Sequence, residues 1–160
     1  MTHDVLTAYF AGEKRESIVF IALGIVAIAA AMTLWRGAGA FRGAAWPLAI
    51  VAVIQIVVGA SIFFRTDAQV ASLTTQLEND RDAFHHDESA RMDKVMASFR
   101  LYKAIEIALL AAGVLLVVMT RPPAIAAGVG LGLLLQASVM LAADVVAEHR
   151  GAVYVAAMRQ

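Results

Sequence analysis

The chain has 160 residues, of which 61% are hydrophobic and 16% are charged, and its formal net charge is zero. This composition is too apolar for an ordinary soluble domain and predicts a membrane protein. The balanced charge argues against a nucleic-acid partner, which requires a basic surface. The sequence has no cysteine, which excludes disulfides, thiolate catalysis and cysteine-ligated metals.

The first part of the chain predicts one membrane span preceded by a mixed segment. Residues 1–16 mix polar and apolar positions, so either an amphipathic helix in the membrane interface or a frayed terminus would fit. Residues 17–35 are the first predicted span, because about 20 apolar residues cross the hydrocarbon core of a bilayer. The basic residues before it resemble those of a signal peptide, but the run is long enough to predict a retained anchor.

Residues 46–64 are the second predicted span, opened by Trp46 and Pro47 after a glycine-rich turn. Trp35 and Trp46 should therefore lie at the same membrane face, as in an aromatic belt. Residues 65–103 form the one long polar segment, and its apolar positions keep helical spacing. We expect an extramembrane helical hairpin with its turn at 85–88, capped by Asp87 or Ser89. Its apolar seam should contain Leu73, Leu77, Phe84, Met92, Met96 and Phe99.

Two further spans complete the predicted fold. Residues 104–120 form the third span, a tight turn follows at 120–123, and residues 123–145 form the fourth. Residues 146–160 continue it as a charged helical extension. The predicted fold class is all-α, with one domain over 1–160. It is an integral membrane four-helix antiparallel bundle with an extramembrane helical hairpin between spans 2 and 3.

The placement of Lys and Arg predicts the orientation. Most of them lie on the side that holds both termini and the hairpin, while Arg36, Arg42 and Arg121 lie on the other side. By the positive-inside rule, both termini should be cytoplasmic, in a bacterial-type inner or plasma membrane.

Polar and small residues mark packed faces within the spans. Ala124, Gly128, Gly132 and Gln136 recur every four residues, a spacing that lets helix backbones approach closely in lipid. Gln55 and Gln136 lie near mid-membrane. They predict either hydrogen bonds between the second and fourth spans, with Gly59 and Gly132 in the contact, or the lining of a substrate or ion path.

Charged groups cluster where the spans meet the hairpin. Carboxylates near hydrocarbon are expensive, so Glu106 and Asp144 should face the bundle interior, each near a cation. The cluster is either a structural salt-bridge collar or a site for a headgroup or proton chemistry. The candidate acid or base groups are Glu106, Asp144 and Glu148. The candidate binding residues are Arg65, Arg100, Lys103, Arg150, Tyr102, Tyr154, Gln55 and Gln136.

No residues predict a cofactor or a metal. His85 and His86 adjoin two carboxylates, but neighbouring side chains on a helix point apart, so a solvated hairpin tip is the better interpretation. The glycines at 128, 130 and 132 lie inside an apolar span and lack the preceding strand of a nucleotide-binding loop.

Three classes of function remain. The first is a non-catalytic membrane protein that binds membrane lipids, a protein partner through the hairpin, or a second copy of the chain. The second is an enzyme acting on a lipid or amphiphile at the interface, with carboxylates as acid or base and arginines as anchors. The third is an oligomeric transporter or channel subunit.

Overall fold

The protein, described here as a computed structural model over residues 3–120 and 124–159, consists of four long helices. They are α1 (His3–Trp35), α2 (Ala40–Asn79), α3 (Arg81–Met119) and α4 (Ile125–Met158). Each helix contains a stretch long and apolar enough to cross a membrane. The all-α prediction is therefore confirmed. The turn predicted at 120–123 lies mostly outside the described residues.

The first two turns differ from the predicted ones. Gly39 adopts a positive φ of 55°, which a residue without a Cβ tolerates, and α2 begins directly after it at Ala40. Pro47 therefore lies inside α2 instead of opening a helix. The hairpin turn is at Asp80, not at 85–88, because the Asp80 side chain accepts a hydrogen bond from the Ala83 amide and caps α3. His85 to Ser89, including the predicted caps, are simply helical.

The helices divide into two halves of different composition. Small residues bring α1 and α2 together in the apolar half, where a Cβ added at Gly24 would lie 3.0 Å from the Ala52 carbonyl oxygen. The Trp35 and Trp46 ring centroids are 4.8 Å apart, so the two side chains lie at the same end of the apolar half. The apolar half comprises 17–35, 46–64, 104–120 and 124–145, and the head comprises 3–16, 65–103 and 146–159.

Helix α4 lies between α2 and α3 in the apolar half. It runs parallel to α2, and a Cβ at Gly132 would lie 2.8 Å from the Ala44 carbonyl oxygen. On its other side, Gly130 faces Gly113 of α3. The four helices thus form a row in the order α1, α2, α4, α3, and the backbones of α1 and α3 nowhere approach within 8 Å between Cα atoms over the described residues. Gly59, predicted to face α4, instead packs against Ser17 and Ile21 of α1.

The row closes into a four-helix core in the head. Residues from all four helices are buried there, and they include most of the predicted seam. The seam residues Leu73, Leu77, Phe84 and Met92 are buried, while Met96 and Phe99 are half-buried beside Gly151. The remaining core residues are Leu6, Tyr9, Phe10, Tyr154 and Met158.

The start of the chain differs from the predicted interfacial segment. Residues 3–16 are the first turns of α1, continuous with its apolar part. Leu6 and Phe10, exposed at 0% and 1%, fill the head core against Tyr154. An amphipathic segment can bury its apolar face in lipid or in protein, and here the seam of the hairpin offers the protein surface.

Candidate functional site

The centre of the head holds a buried ion pair that the sequence analysis missed. Glu88 is 1% exposed and accepts hydrogen bonds from Arg91 at Nε (2.7 Å) and Nη2 (2.6 Å). The Tyr154 hydroxyl donates a third hydrogen bond to Glu88 Oε1 at 2.8 Å. A buried carboxylate satisfied by a bidentate arginine and a phenol is a stable arrangement, because each desolvated polar group has a partner.

Aromatic rings enclose this ion pair. Tyr9 stacks on Tyr154 with ring centroids 4.2 Å apart, and Phe10 meets Tyr9 edge to face at 5.0 Å. The Arg91 guanidinium lies 5.4 Å from the Phe10 ring centroid, and that of Arg150 lies 5.3 Å from the Tyr9 ring. These distances are within the range of cation–π attraction. The cluster connects α1, α3 and α4.

Burial controls the titration of the groups in the cluster. Burial raises the pKa of the Tyr154 phenol, and the adjacent Glu88 carboxylate raises it further. Burial also raises the pKa of Tyr9, with Glu13 adding to the shift. Burial by itself lowers the pKa of Arg91, but the hydrogen bonds and charge of Glu88 outweigh it and raise that pKa. Both phenols are therefore neutral, Tyr154 donates to Glu88, and Arg91 is a permanent cation.

The local sequence contains a signal for this site. Phe84, Glu88 and Met92 recur every four residues, so Glu88 lies on the same helix face as the seam. Arg91 follows Glu88 by three residues, a spacing at which side chains on a helix meet. A carboxylate in phase with an apolar seam and followed by an arginine at that spacing indicates a buried ion pair.

A belt of ion pairs between helices lies where the head joins the apolar half. Lys14 pairs with Asp67 at 2.6 Å, and Arg65 pairs with Glu13 at 3.1 Å, both between α1 and α2. The remaining pairs join Arg150 to Glu16, between α4 and α1, and Lys103 to Glu148, between α3 and α4. Four residues of the predicted charge cluster, Arg65, Lys103, Glu148 and Arg150, take part in this belt.

Glu106 and Asp144 are exceptions to the collar. Glu106 is 5% exposed and half-buried Asp144 lies beside its carboxyl group, so both face the α3–α4 contact as predicted. Neither forms a salt bridge with a cation in the part of the chain that the structure describes. Lys103 lies near both, but its ammonium group pairs with Glu148. Each carboxylate is thus near a cation, as predicted, but neither forms an ion pair with it.

Gln55 and Gln136 both lie in the contact between α2 and α4, as predicted. Gln136 Nε2 donates to the Leu48 carbonyl at 3.3 Å, and Gln55 Nε2 lies 3.4 Å from the Met140 sulfur. The exposed fractions of Gln55 and Gln136 are 0% and 4%. The two amides thus bind the facing helix but not each other, which favours a packing role.

The other candidate binding residues are not brought into a common site. Arg100 and Tyr102 are exposed on α3, and Tyr154 lies in the head core away from the boundary carboxylates. A cleft of about 280 Å³ between α1 and α2, lined by Thr7, Lys14, Asp67 and Val70 among others, contains none of the predicted site residues. It lies beside the ion-pair belt.

The geometry defines the class of this protein as an all-helical one with four helices, each able to cross a membrane by length and composition. No protein-family model matches the chain, and comparison with curated proteins and with solved structures finds no match.

Proposed function

We propose that the protein is an integral membrane protein whose apolar half crosses the bilayer four times and whose head projects from one face. In this arrangement the head carries both termini and most of the basic residues. By the positive-inside rule, the head therefore lies in the cytoplasm. The row of helices supports the proposal. It leaves large apolar side chains exposed along all four spans, including Val26, Val57, Val118 and Leu135. Such surface is stable in lipid but not in water.

Within that membrane, we propose that the protein acts by binding a lipid or a protein partner and is not an enzyme. One observation carries the proposal. The groups that an interfacial enzyme would use as anchors or bases are engaged in pairs that join helices. Arg65, Arg150 and Glu148 each bind an opposite charge on a neighbouring helix. Moving any of them toward a substrate would first break an ion pair between helices.

The binding surface is not the seam of the hairpin. Leu77, at 5% exposure, and the other buried seam residues are covered by the chain's own α1 and α4. A lipid or a partner therefore meets the outer surface, either along the apolar half or at its boundary with the head.

The enzyme remains the second candidate because of one specific observation. Glu106 and Asp144 face each other without a salt bridge to any described cation, and Glu106 Oε2 is buried without a hydrogen-bond partner in the described part of the chain. A carboxyl pair of this kind could take part in acid–base chemistry on an amphiphile. The transport proposal is weaker, since Gln55 and Gln136 are used in helix packing.

The experiment is extraction of the protein from its own membrane in polymer-bounded discs, followed by native mass spectrometry. We expect a lipid or protein bound at fixed stoichiometry. The variants Glu106→Gln and Asp144→Asn should keep that ligand, because the carboxyl pair is not part of the binding surface in this proposal.

Two results would contradict the proposal. A chain that emerges with nothing bound at fixed stoichiometry removes the binding function. Conversion of a bound amphiphile by the wild type, lost in Glu106→Gln at unchanged thermal stability, establishes the enzyme instead.

A further inference from the structure

The cleft between α1 and α2 has the dimensions and the charges of a headgroup site. Its volume of about 280 Å³ is at the lower end for ligand pockets, so it suits a small polar group better than a large organic ligand. Lys14 and Asp67 lie on its two sides, and the hydroxyl-bearing residues Thr7 and Thr66 line it together with Val70.

The end of the cleft nearest the apolar half, at Lys14 and Asp67, lies at the level of lipid headgroups. Lys14 lies three residues before the predicted span edge at Ser17, and Asp67 lies three residues after the edge at Phe64. At 1.5 Å per residue, each is about 4.5 Å outside the hydrocarbon. The headgroup layer on each side of a bilayer is about 5–7 Å thick. Two helices running in opposite directions thus bring both charges to the same layer.

The Lys14–Asp67 ion pair can open at small cost. Lys14 Nζ lies 2.7 Å and 2.6 Å from the two carboxylate oxygens, and the side chains are 30% and 75% exposed. Exposed ion pairs contribute about 0–1 kcal/mol to stability. A ligand that carries both charges would replace this one ion pair with two, whereas a ligand with a single charge would leave one partner unsatisfied.

The surface below the ion pair is apolar and continues toward the proposed bilayer. Ile18 follows Lys14 by four residues and is 51% exposed, and Phe63 precedes Asp67 by four residues. Residues four apart lie on one helix face, so both side chains lie directly beneath the charges. The Lys14 ammonium is 4.8 Å from the Phe63 ring centroid. An acyl chain can therefore run along α1 and α2 below a bound headgroup.

We propose that this cleft binds one membrane phospholipid whose headgroup carries a phosphate and a primary ammonium, as in phosphatidylethanolamine. Lys14 binds the phosphate, Asp67 accepts hydrogen bonds from the ammonium, and Ile18 and Phe63 contact the acyl chains. This inference rests on the proposed membrane placement and names a lipid for the proposed binding function.

The charges of the cleft favour this lipid over two common alternatives. An anionic headgroup without an ammonium would place its phosphate near Lys14 but leave Asp67 without a cation. A choline headgroup neutralises the charge of Asp67, but its quaternary nitrogen has no N–H to donate. An exposed contact of this kind contributes up to about 1 kcal/mol, so we expect a preference of about fivefold for the primary ammonium.

The test uses the full chain reconstituted in discs with equal parts of ethanolamine, choline and glycerol phospholipids. Native mass spectrometry after controlled detergent exchange measures which lipid stays bound. The wild type should retain one ethanolamine lipid, in about fivefold preference to the others. Lys14→Gln should lower its retention about fivefold, and Asp67→Asn should remove the preference for the primary ammonium.

Two controls separate binding from folding. Lys94→Gln and Asp93→Asn remove the same charges from exposed positions of the head and should change nothing. Ala11→Trp fills the cleft without changing its charge, and it should abolish retention while the thermal midpoint stays near that of the wild type.

The outcomes distinguish this inference from the proposed function. Ethanolamine lipid retained equally by Lys14→Gln, Asp67→Asn and Ala11→Trp contradicts the cleft site, as does retention without preference among the three lipids. In either case, a lipid bound elsewhere at fixed stoichiometry leaves the general binding function intact. Both proposals are overturned if the chain carries no bound lipid or protein, either in the reconstituted discs or after extraction from its native membrane.

Discussion

The Tyr154→Phe variant tests the buried ion pair in the head. The substitution keeps the ring and its 4.2 Å stacking on Tyr9, and it removes only the hydroxyl that donates to Glu88 at 2.8 Å. Hydrogen bonds to charged groups contribute about 1.5–3 kcal/mol. Glu88 keeps its two contacts with Arg91, so we expect a loss of about 2 kcal/mol in the free energy of unfolding, near the middle of that range.

Thermal unfolding in mild detergent at neutral pH measures this loss. A change of 1 kcal/mol shifts the midpoint by about 2–4 °C in a chain of this size, so Tyr154→Phe should unfold about 4–8 °C below the wild type. Tyr102→Phe is the matched control, because Tyr102 is 51% exposed on α3 and should contribute within about 0.5 kcal/mol. Equal midpoints for the two variants would refute the proposed contribution of the Glu88–Tyr154 hydrogen bond.

The same hydrogen bond predicts a pH dependence. Burial raises the pKa of Tyr154 in the folded state above the ordinary phenol value of 10.0. The folded state therefore holds the proton more tightly, and the resulting stability is complete below pH 10 and is lost as the pH rises above it. The wild type should lose more stability than Tyr154→Phe between pH 9 and 11, by the assay above. The Tyr154→Phe variant should keep a smaller dependence of stability on pH, because burial also raises the pKa of Tyr9.

The remaining predictions concern packing. Gly128→Ala should destabilise the protein by about 3 kcal/mol, because the added Cβ would collide with the Ala40 carbonyl of α2. Gly151→Ala, on the same helix, would place its Cβ 3.1 Å from the flexible Met96 sulfur and in ordinary contact with Met92 and Phe99, so it should change stability by less than about 1 kcal/mol. Similar midpoints for both variants would contradict the close α2–α4 approach. Leu77→Asp should destabilise by on the order of 4 kcal/mol in urea unfolding, because it buries a carboxylate in the head core, and a loss below about 1 kcal/mol would mean that the seam is open.

The helices and the seam were predictable because their signals are local. Leu73, Leu77 and Phe84 reveal a buried face through their spacing, whatever the face packs against. The hairpin turn was placed wrongly for the same local reason. The polar run at 85–88 has the composition of a loop, and only the Asp80 cap shows where the chain turns. Moving the turn to Asp80 carries Glu88 from a solvated tip into the core.

The candidate site was predictable in its residue types but not in its partners. The sequence placed Glu106 and Asp144 at the same boundary, yet the two carboxyl groups face each other while Lys103 binds Glu148. Which charges meet depends on the rotation of α3 against α4, and contacts such as that of Gly113 with Gly130 set this rotation. No pattern within one helix contains that information.

By itself, the sequence determined that this chain makes four long apolar helices with a charged, amphipathic end, because apolar run length and helical period are properties of single segments. The tertiary structure decided that α4 lies between α2 and α3 in the apolar half, and that Leu6 and Phe10 enter the head core. It also decided that Glu88 finds Tyr154 across 66 residues. The physical reason is that an apolar face or a charge in phase with it predicts burial but not the partner. The partner depends on which surfaces fit together at van der Waals distance.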